Sequence, residues 1–323
     1  MRVLFIGGSG NISSACSQLA VERGIELVHF NRGLRPVLPG VRTIRGDLGD
    51  RAEMARLLAG ERFDVVVNWI VFEPVQAAAD IEMFAGQVGQ YVFISTATVY
   101  QKPPKSHVVT EQTPLVNPFW VYSQKKIACE ELLTRAGREH GFPLTIVRPS
   151  FTYGDTWIPT AMGVDYTPVW RLRRGLPLVV HGDGTSLWVM THNTDFAQGL
   201  VGLLGRTDAV GEAFHITSDE VLTWNQVHEE LAAAVGVTLK LVHIPSDFIA
   251  AVDPSIGAGL HGDKAHSAIF DNSKIKRLVP EFRCTVPFAQ GIRRSVAFLD
   301  AHPEAQRLDS NPAVEAILAA WDR

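Results

Sequence analysis

The apolar run Val3-Leu4-Phe5-Ile6 passes directly into Gly7-Gly8-Ser9-Gly10, and a helical pattern over Ile12–Arg23 follows. A strand that turns this sharply into a helix leaves few folds open. The helix must fold back over the strand, and the next strand then lies parallel to the first. The same rhythm repeats. Strands are expected at Glu26–Phe30, Val41–Ile44, Asp64–Asn68, Gln90–Ser95 and Pro143–Val147. Helices are expected at Arg51–Leu58, Pro74–Phe84 and Trp120–His140. Such alternation predicts an α/β chain with a doubly wound parallel sheet covered on both faces.

After Arg148-Pro149 the rhythm changes. Residues 150–190 are rich in Pro, Gly, Trp and Tyr and read as loops with short pieces of structure. Helix Thr194–Leu204 and strand Ala213–Thr217 return to the sheet, and helix Trp224–Val235, strand Leu239–Ile244 and an amphipathic stretch Pro287–Leu299 follow. The expected organisation is a Rossmann-like sheet domain from 1–149 and 192–217, a smaller lobe from 150–191 and 218–300, and a C-terminal tail 301–323 with a short helical pattern at Pro312–Trp321.

Composition excludes several classes. A net charge of −4 gives no basic face for nucleic acid, so no nucleic-acid partner is expected. No apolar run approaches the roughly 18 residues of a membrane span, and the apolar start is too short for a signal-peptide core. Cys16, Cys129 and Cys284 are far apart and show neither disulfide framework nor zinc spacing. His181, His192, His215 and His243 are scattered, and no metal site is expected. A cytoplasmic chain with a small-molecule substrate is the reading, and a homodimer is compatible with it.

The glycine turn has a specific use. Gly7 permits the tight turn, Gly10 lets a pyrophosphate approach backbone N–H groups at the helix N-terminus, and Ser13 replaces a third glycine with another small residue. Ser9, Asn11 and Ile12 complete this candidate dinucleotide loop, with Asn68 at a later strand end. The second strand ends in Asn31-Arg32, with Arg35 nearby, where an acidic residue would bind a ribose 2′-OH. Losing the carboxylate and gaining a guanidinium suits a 2′-phosphate. Asparagine still bonds a 2′-OH, so the expected cofactor is NAD or NADP.

Tyr122 and Lys126 are four apart in a helical segment and share one face. A free tyrosine titrates near pH ~10, and a neighbouring ammonium would lower that value. Upstream, the strand Tyr91-Val92-Phe93-Ile94 ends in Ser95-Thr96-Ala97-Thr98. A nucleotide loop, a hydroxyl-rich strand end and a Tyr-Lys pair, in this order, imply redox chemistry on an alcohol or ketone.

This combination resembles the short-chain dehydrogenase/reductase superfamily in its extended form, typified by NAD-dependent nucleotide-sugar epimerases and dehydratases. The resemblance runs from Met1 to about Leu299. It implies that Thr96 polarises the substrate oxygen, Tyr122 exchanges a proton with it, and Lys126 bonds the nicotinamide ribose. It also implies that Asp47-Leu48 contacts adenine and Pro149 lies against the nicotinamide. Dehydratases carry an Asp-Glu pair after the Thr96 position. Here Ala97-Thr98 stands there, as in UDP-galactose 4-epimerase sequences. The expected activity is therefore an NAD(P)-dependent epimerase of a sugar or nucleotide sugar. The alternatives are a net dehydrogenase or reductase, and a nucleotide-binding or RNA-associated scaffold with a vestigial site.

The chain departs from that pattern at one place. Nucleotide-sugar enzymes of this group usually place an arginine shortly after Gly-Asp-Gly to clamp a diphosphate. After Gly182-Asp183-Gly184 this chain has Trp188 at that position. Arg171, Arg173, Arg174 and Lys274 are the substitute cations to consider. Trp157, Trp170 and Trp188 are either core residues or stacking platforms for a ring.

Overall fold

A computed structural model describes all residues, Met1–Arg323. Seven parallel strands form the central sheet: β1 (Arg2–Ile6), β2 (Glu26–Asn31), β3 (Arg42–Arg45), β4 (Val65–Asn68), β5 (Gln90–Ile94), β6 (Leu144–Pro149) and β7 (Ala213–Ile216). Their order is β7-β6-β5-β4-β1-β2-β3. The order reverses between β1 and β4, where Val3 to Ile6 pair with Val65 to Asn68. A crevice forms at that reversal, outside the carboxyl ends of the strands. Both faces of the sheet are covered, so β4, β5 and β6 are buried along their whole length.

Helices α1 (Asn11–Glu22), α2 (Arg51–Leu58), α3 (Pro74–Phe84) and α4 (Val121–His140) match the expected periodicities. A further helix, α5 (Asn193–Leu203), begins where the His192 side chain accepts from the Thr194 N–H and packs on α1. One sheet face packs Val3, Phe5, Val65 and Val67 against α1 and α5. The other packs Leu4, Ile6, Val66 and Phe93 against Met54, Ala77 and Leu133 of the opposite helices.

The first turn is held from both sides. Gly7 and Gly8 sit at φ +108° and +86°, where a side chain would be strained. A Cβ on Gly8 would also stand 2.6 Å from His29 Nε2. Ser17 Oγ bonds Gly8 O at 2.9 Å and His29 Nε2 at 2.9 Å. Burial pushes the His29 imidazole down to about 4, so it is neutral at physiological pH.

The smaller lobe has its own core, in which Trp188, Trp224, Tyr153 and Phe288 are buried. Helices α6 (Trp224–Val235) and α7 (Phe288–Ala301) pack together there. Short strand pairs replace a continuous sheet, such as Leu178–His181 parallel to Leu241–Ile244. Two features differ from the expected division. Ile275, Val279 and Phe282 lie in 218–300 but pack into the sheet-domain core. The tail helix α8 (Asn311–Trp321) buries Val314, Ile317 and Leu318 in the lobe. In both stretches an apolar face at helical spacing found a partner that spacing alone does not name.

Candidate active site

Two cavities meet at the carboxyl ends of the strands. The first, about 710 Å³, runs along the glycine turn and the end of β2. The second, about 440 Å³, lies between the sheet domain and the lobe. Tyr122, Ser95, Ile12, Pro149 and Trp157 line both. Tyr122 therefore stands at the junction of a long groove and a compact chamber.

Helix α4 explains this placement. Tyr122, Lys126 and Glu130 recur every four residues and form one stripe facing the sheet ends. At its first position, Tyr122 packs against Trp120 with centroids 5.1 Å apart. At the second, Lys126 Nζ donates to Val71 O at 2.6 Å and Ile94 O at 2.8 Å, between the rings of Phe72 and Phe93. Two of its three donors are thus used, and the third is free for a ligand in the groove. At the third, Glu130 accepts from Arg148 Nε at 2.9 Å and Nη2 at 2.6 Å, and from the Ser95 hydroxyl. This ion pair pins α4 to the ends of β5 and β6.

One electrostatic expectation is corrected. The Tyr122 phenol lies above its ordinary pKa, not below it. Burial pushes the phenol above its ordinary value and the nearby Asp263 carboxylate acts the same way, while the Thr96 hydroxyl acts against both. The ammonium is committed to two backbone carbonyls, and burial pushes it down to about 8. Thr96 lines the chamber and its hydroxyl donates to Thr98 Oγ1 at 3.3 Å. Ser123 Oγ donates to the same Thr98 oxygen at 2.6 Å.

Gly7, Ser9, Gly10, Asn11, Ile12, Asn31, Arg32, Leu48, Tyr122, Lys126 and Pro149 all line the groove. Asp47 and Asn68 do not. Asp47 Oδ1 caps its own turn by accepting from Gly49 N at 2.9 Å. Asn68 is fully buried, with Nδ2 donating to Asp80 and Oδ1 accepting from Ile70 N. Asp47 serves its own turn, and Asn68 joins the Asp80 carboxylate to the Ile70 backbone beside the groove. Trp69 and Trp157 line the groove although they were not assigned to it. Trp157 was open between core and a ring-stacking role, whereas Trp69 carries no sequence signal, since a tryptophan at a strand end is more often core.

The groove suits a dinucleotide. Gly10 caps α1 from an extended conformation and its N–H is held by Ser13 Oγ at 2.7 Å. The buried Trp69 Nε1 and Asn11 Oδ1 have no partner within the protein. No carboxylate lines the groove, whereas Arg32 and Arg35 do. Asn31 Oδ1 is occupied by the Gly33 N–H at 2.8 Å.

The family model described as the NAD dependent epimerase/dehydratase family matches residues 3–217. The chain belongs to that family. Its members are NAD(P)-dependent enzymes of the short-chain dehydrogenase/reductase superfamily, so the protein is an enzyme with a Rossmann-like cofactor domain. The chain is 27% identical over 286 residues to 2′-dehydrokanamycin reductase of Streptomyces kanamyceticus, covering 88% of this chain and 80% of the relative. It is also 27% identical over 270 residues to the chloroplast stem-loop binding protein of 41 kDa b of Arabidopsis thaliana, covering 76% and 67%. The fold matches Thermus thermophilus UDP-glucose 4-epimerase in complex with NAD at TM-score 0.75 and 21% identity, over 94% of this chain and 100% of the other. No three His, Cys, Asp or Glu residues converge to hold a metal ion. No helix is long and apolar enough to cross a membrane.

Proposed function

We propose that the enzyme interconverts a secondary alcohol and a ketone on a sugar-like substrate, with Tyr122 as the proton-transfer group and Thr96 as the hydroxyl that orients the reacting oxygen. The observation that carries this is the position of Tyr122 at the junction of the groove and the chamber, on the same side as Thr96. Bound NAD(P) supplies or accepts the hydride. Tyr122 keeps its proton until a substrate oxygen needs it, because burial holds the phenol above its ordinary value. Thr96 bonds the same oxygen and fixes its approach. Lys126 offers its remaining donor to a ribose hydroxyl. Ala97 and Thr98 bring no carboxylate to the strand end, which disfavours elimination.

Net reduction or oxidation is the leading reading. An epimerase must turn its ketone over without releasing it, so some part of the substrate that does not turn must be held firmly. A diphosphate clamp would do this, but Trp188 is buried in the lobe core against Trp224. The epimerase reading, first from the sequence and favoured there by the Ala97-Thr98 pattern, becomes the second reading on this ground. The test is incubation with NADPH or NADH deuterated at the transferable position, over a panel of keto sugars and nucleotide sugars. Net reduction gives one carbinol deuterium per cofactor oxidised. An inverted sugar with no cofactor change makes the enzyme an epimerase. Failure to bind either dinucleotide would leave the scaffold alternative and refute the proposal.

A further inference from the structure

The chamber beside Tyr122 contains one cation, and it is none of the four considered from sequence. Arg171 is buried, with Nε on Pro177 O and Nη1 on Asn311 and Glu315. Arg173 is held by Asp300 at 2.7 Å. Arg174 lies 4.2 Å over the Trp170 ring. Lys274 is held by Glu212 at 2.6 Å and by Ala213 O at 2.8 Å. Each is spent on structure, and none lines the chamber.

Lys264 does line it. It ends a five-residue π-helical turn, Leu260–Lys264, an arrangement often found at functional sites. Its backbone carbonyl accepts from His181 Nε2 at 2.9 Å, Trp224 Nε1 at 3.1 Å and Ser186 Oγ at 3.4 Å. Three donors on one carbonyl fix where the side chain starts. The ammonium lies 5.1 Å from the Trp120 ring centre and 5.7 Å from that of Phe151, and makes no hydrogen bond or ion pair. The neighbouring Asp263 faces Lys102 at 3.5 Å. Lys102, Asp263 and Lys264 together leave one positive charge uncompensated. Burial pushes the Lys264 amine down and Asp263 opposes this.

A half-desolvated ammonium between two aromatic faces, whose neighbouring chamber carboxylate Asp263 is paired with Lys102, is matched by an anion from outside. We infer that Lys264 is the substrate's anion receptor, and that the substrate carries a single anionic group, a carboxylate or a phosphate monoester, in place of a nucleotide diphosphate. This rests on the chamber being the substrate site. One lysine acts as a point charge for one anion, whereas a diphosphate is better matched by a bidentate arginine fork.

The experiment is calorimetric titration of the enzyme saturated with whichever of NAD and NADP it binds more tightly, so that probes cannot enter the groove. The probes are glucuronate, inorganic phosphate, neutral glucose and UDP, against wild type, Lys264→Met, Lys264→Arg and Tyr122→Phe. Glucuronate or phosphate should bind more tightly than glucose. Lys264→Met should weaken that anion by about tenfold or more, as expected for a lost charge-assisted bond, and Lys264→Arg should recover most of it. A preference for glucuronate identifies a carboxylate, and one for phosphate a monoester. Retained binding of that dinucleotide shows that each variant is folded. Tyr122→Phe should bind the anion as wild type does, so this outcome does not depend on catalysis. Equal anion binding by wild type and Lys264→Met, binding of neither anion, or tight UDP binding insensitive to Lys264→Met would overturn the inference.

Discussion

Removing the Glu130 carboxylate should be among the most damaging single changes available in the sheet domain. Glu130 and Arg148 side chains are 2% and 5% exposed, and their two bonds at 2.6 and 2.9 Å are joined by one from Ser95. Arg148 also donates to the Tyr100 hydroxyl at 3.2 Å, which cannot neutralise it. Glu130→Ala therefore leaves a buried guanidinium unpaired, at a cost of ~3–5 kcal/mol. With a urea slope of about 3 kcal/mol/M, the unfolding midpoint should fall by roughly 1–1.7 M. Replacing both partners, as Glu130→Leu with Arg148→Met, removes the charge together with its counter-charge. That double variant should lie within about 1–2 kcal/mol of wild type, so the single costs are strongly non-additive. Urea unfolding followed by fluorescence measures wild type, Glu130→Ala, Glu130→Leu, Arg148→Met and the double variant. A Glu130→Ala midpoint within about 0.3 M of wild type, or a double variant as unstable as the summed singles, would refute the reasoning.

Two further outcomes follow from the groove. Lys126 is 2% exposed and has its pKa pushed from 10.5 to about 8, so the unfolded chain binds more protons than the folded one between those values. Stability contributed through this group therefore rises with pH across that window, by roughly 3 kcal/mol in total, and Lys126→Met should flatten the rise in a pH series of urea midpoints; an unchanged slope would contradict it. Arg32→Ala should weaken NADP binding about tenfold and NAD binding less than about threefold, measured by titration with both cofactors; equal loss for the two would assign Arg32 to adenine or to solvent.

The sheet, its helices and the groove were legible because each rests on local rules. A glycine turn after a buried strand, apolar runs of strand length and the four-residue spacing of Tyr122 and Lys126 need no knowledge of distant contacts. Glu130 was one step further along the same spacing, yet its meaning depended on Arg148, a strand away. Asp47 and Asn68 show the opposite limit, since neither lines the groove. They occupy the right strand ends, but their side chains satisfy nearby backbone or the buried Asp80. Lys264 left no trace in the sequence at all. Its importance arises from a π-helical turn, a triply bonded carbonyl and two aromatic rings from other segments. The direction of the Tyr122 pKa was likewise hidden, since burial and the turning of Lys126 toward two carbonyls are tertiary facts.

The central claim is that Tyr122 moves the proton while the groove holds the dinucleotide independently of it. Its most direct test is a single-turnover measurement of NAD(P)H oxidation with a ketone substrate drawn from the panel, on wild type and Tyr122→Phe, with cofactor affinity titrated on the same preparations. Tyr122→Phe should slow hydride transfer by about 10²–10⁴-fold while cofactor affinity stays within about twofold, because the phenol, unlike the glycine turn, does not hold the phosphates. Hydride transfer by Tyr122→Phe at a rate close to wild type would contradict the account.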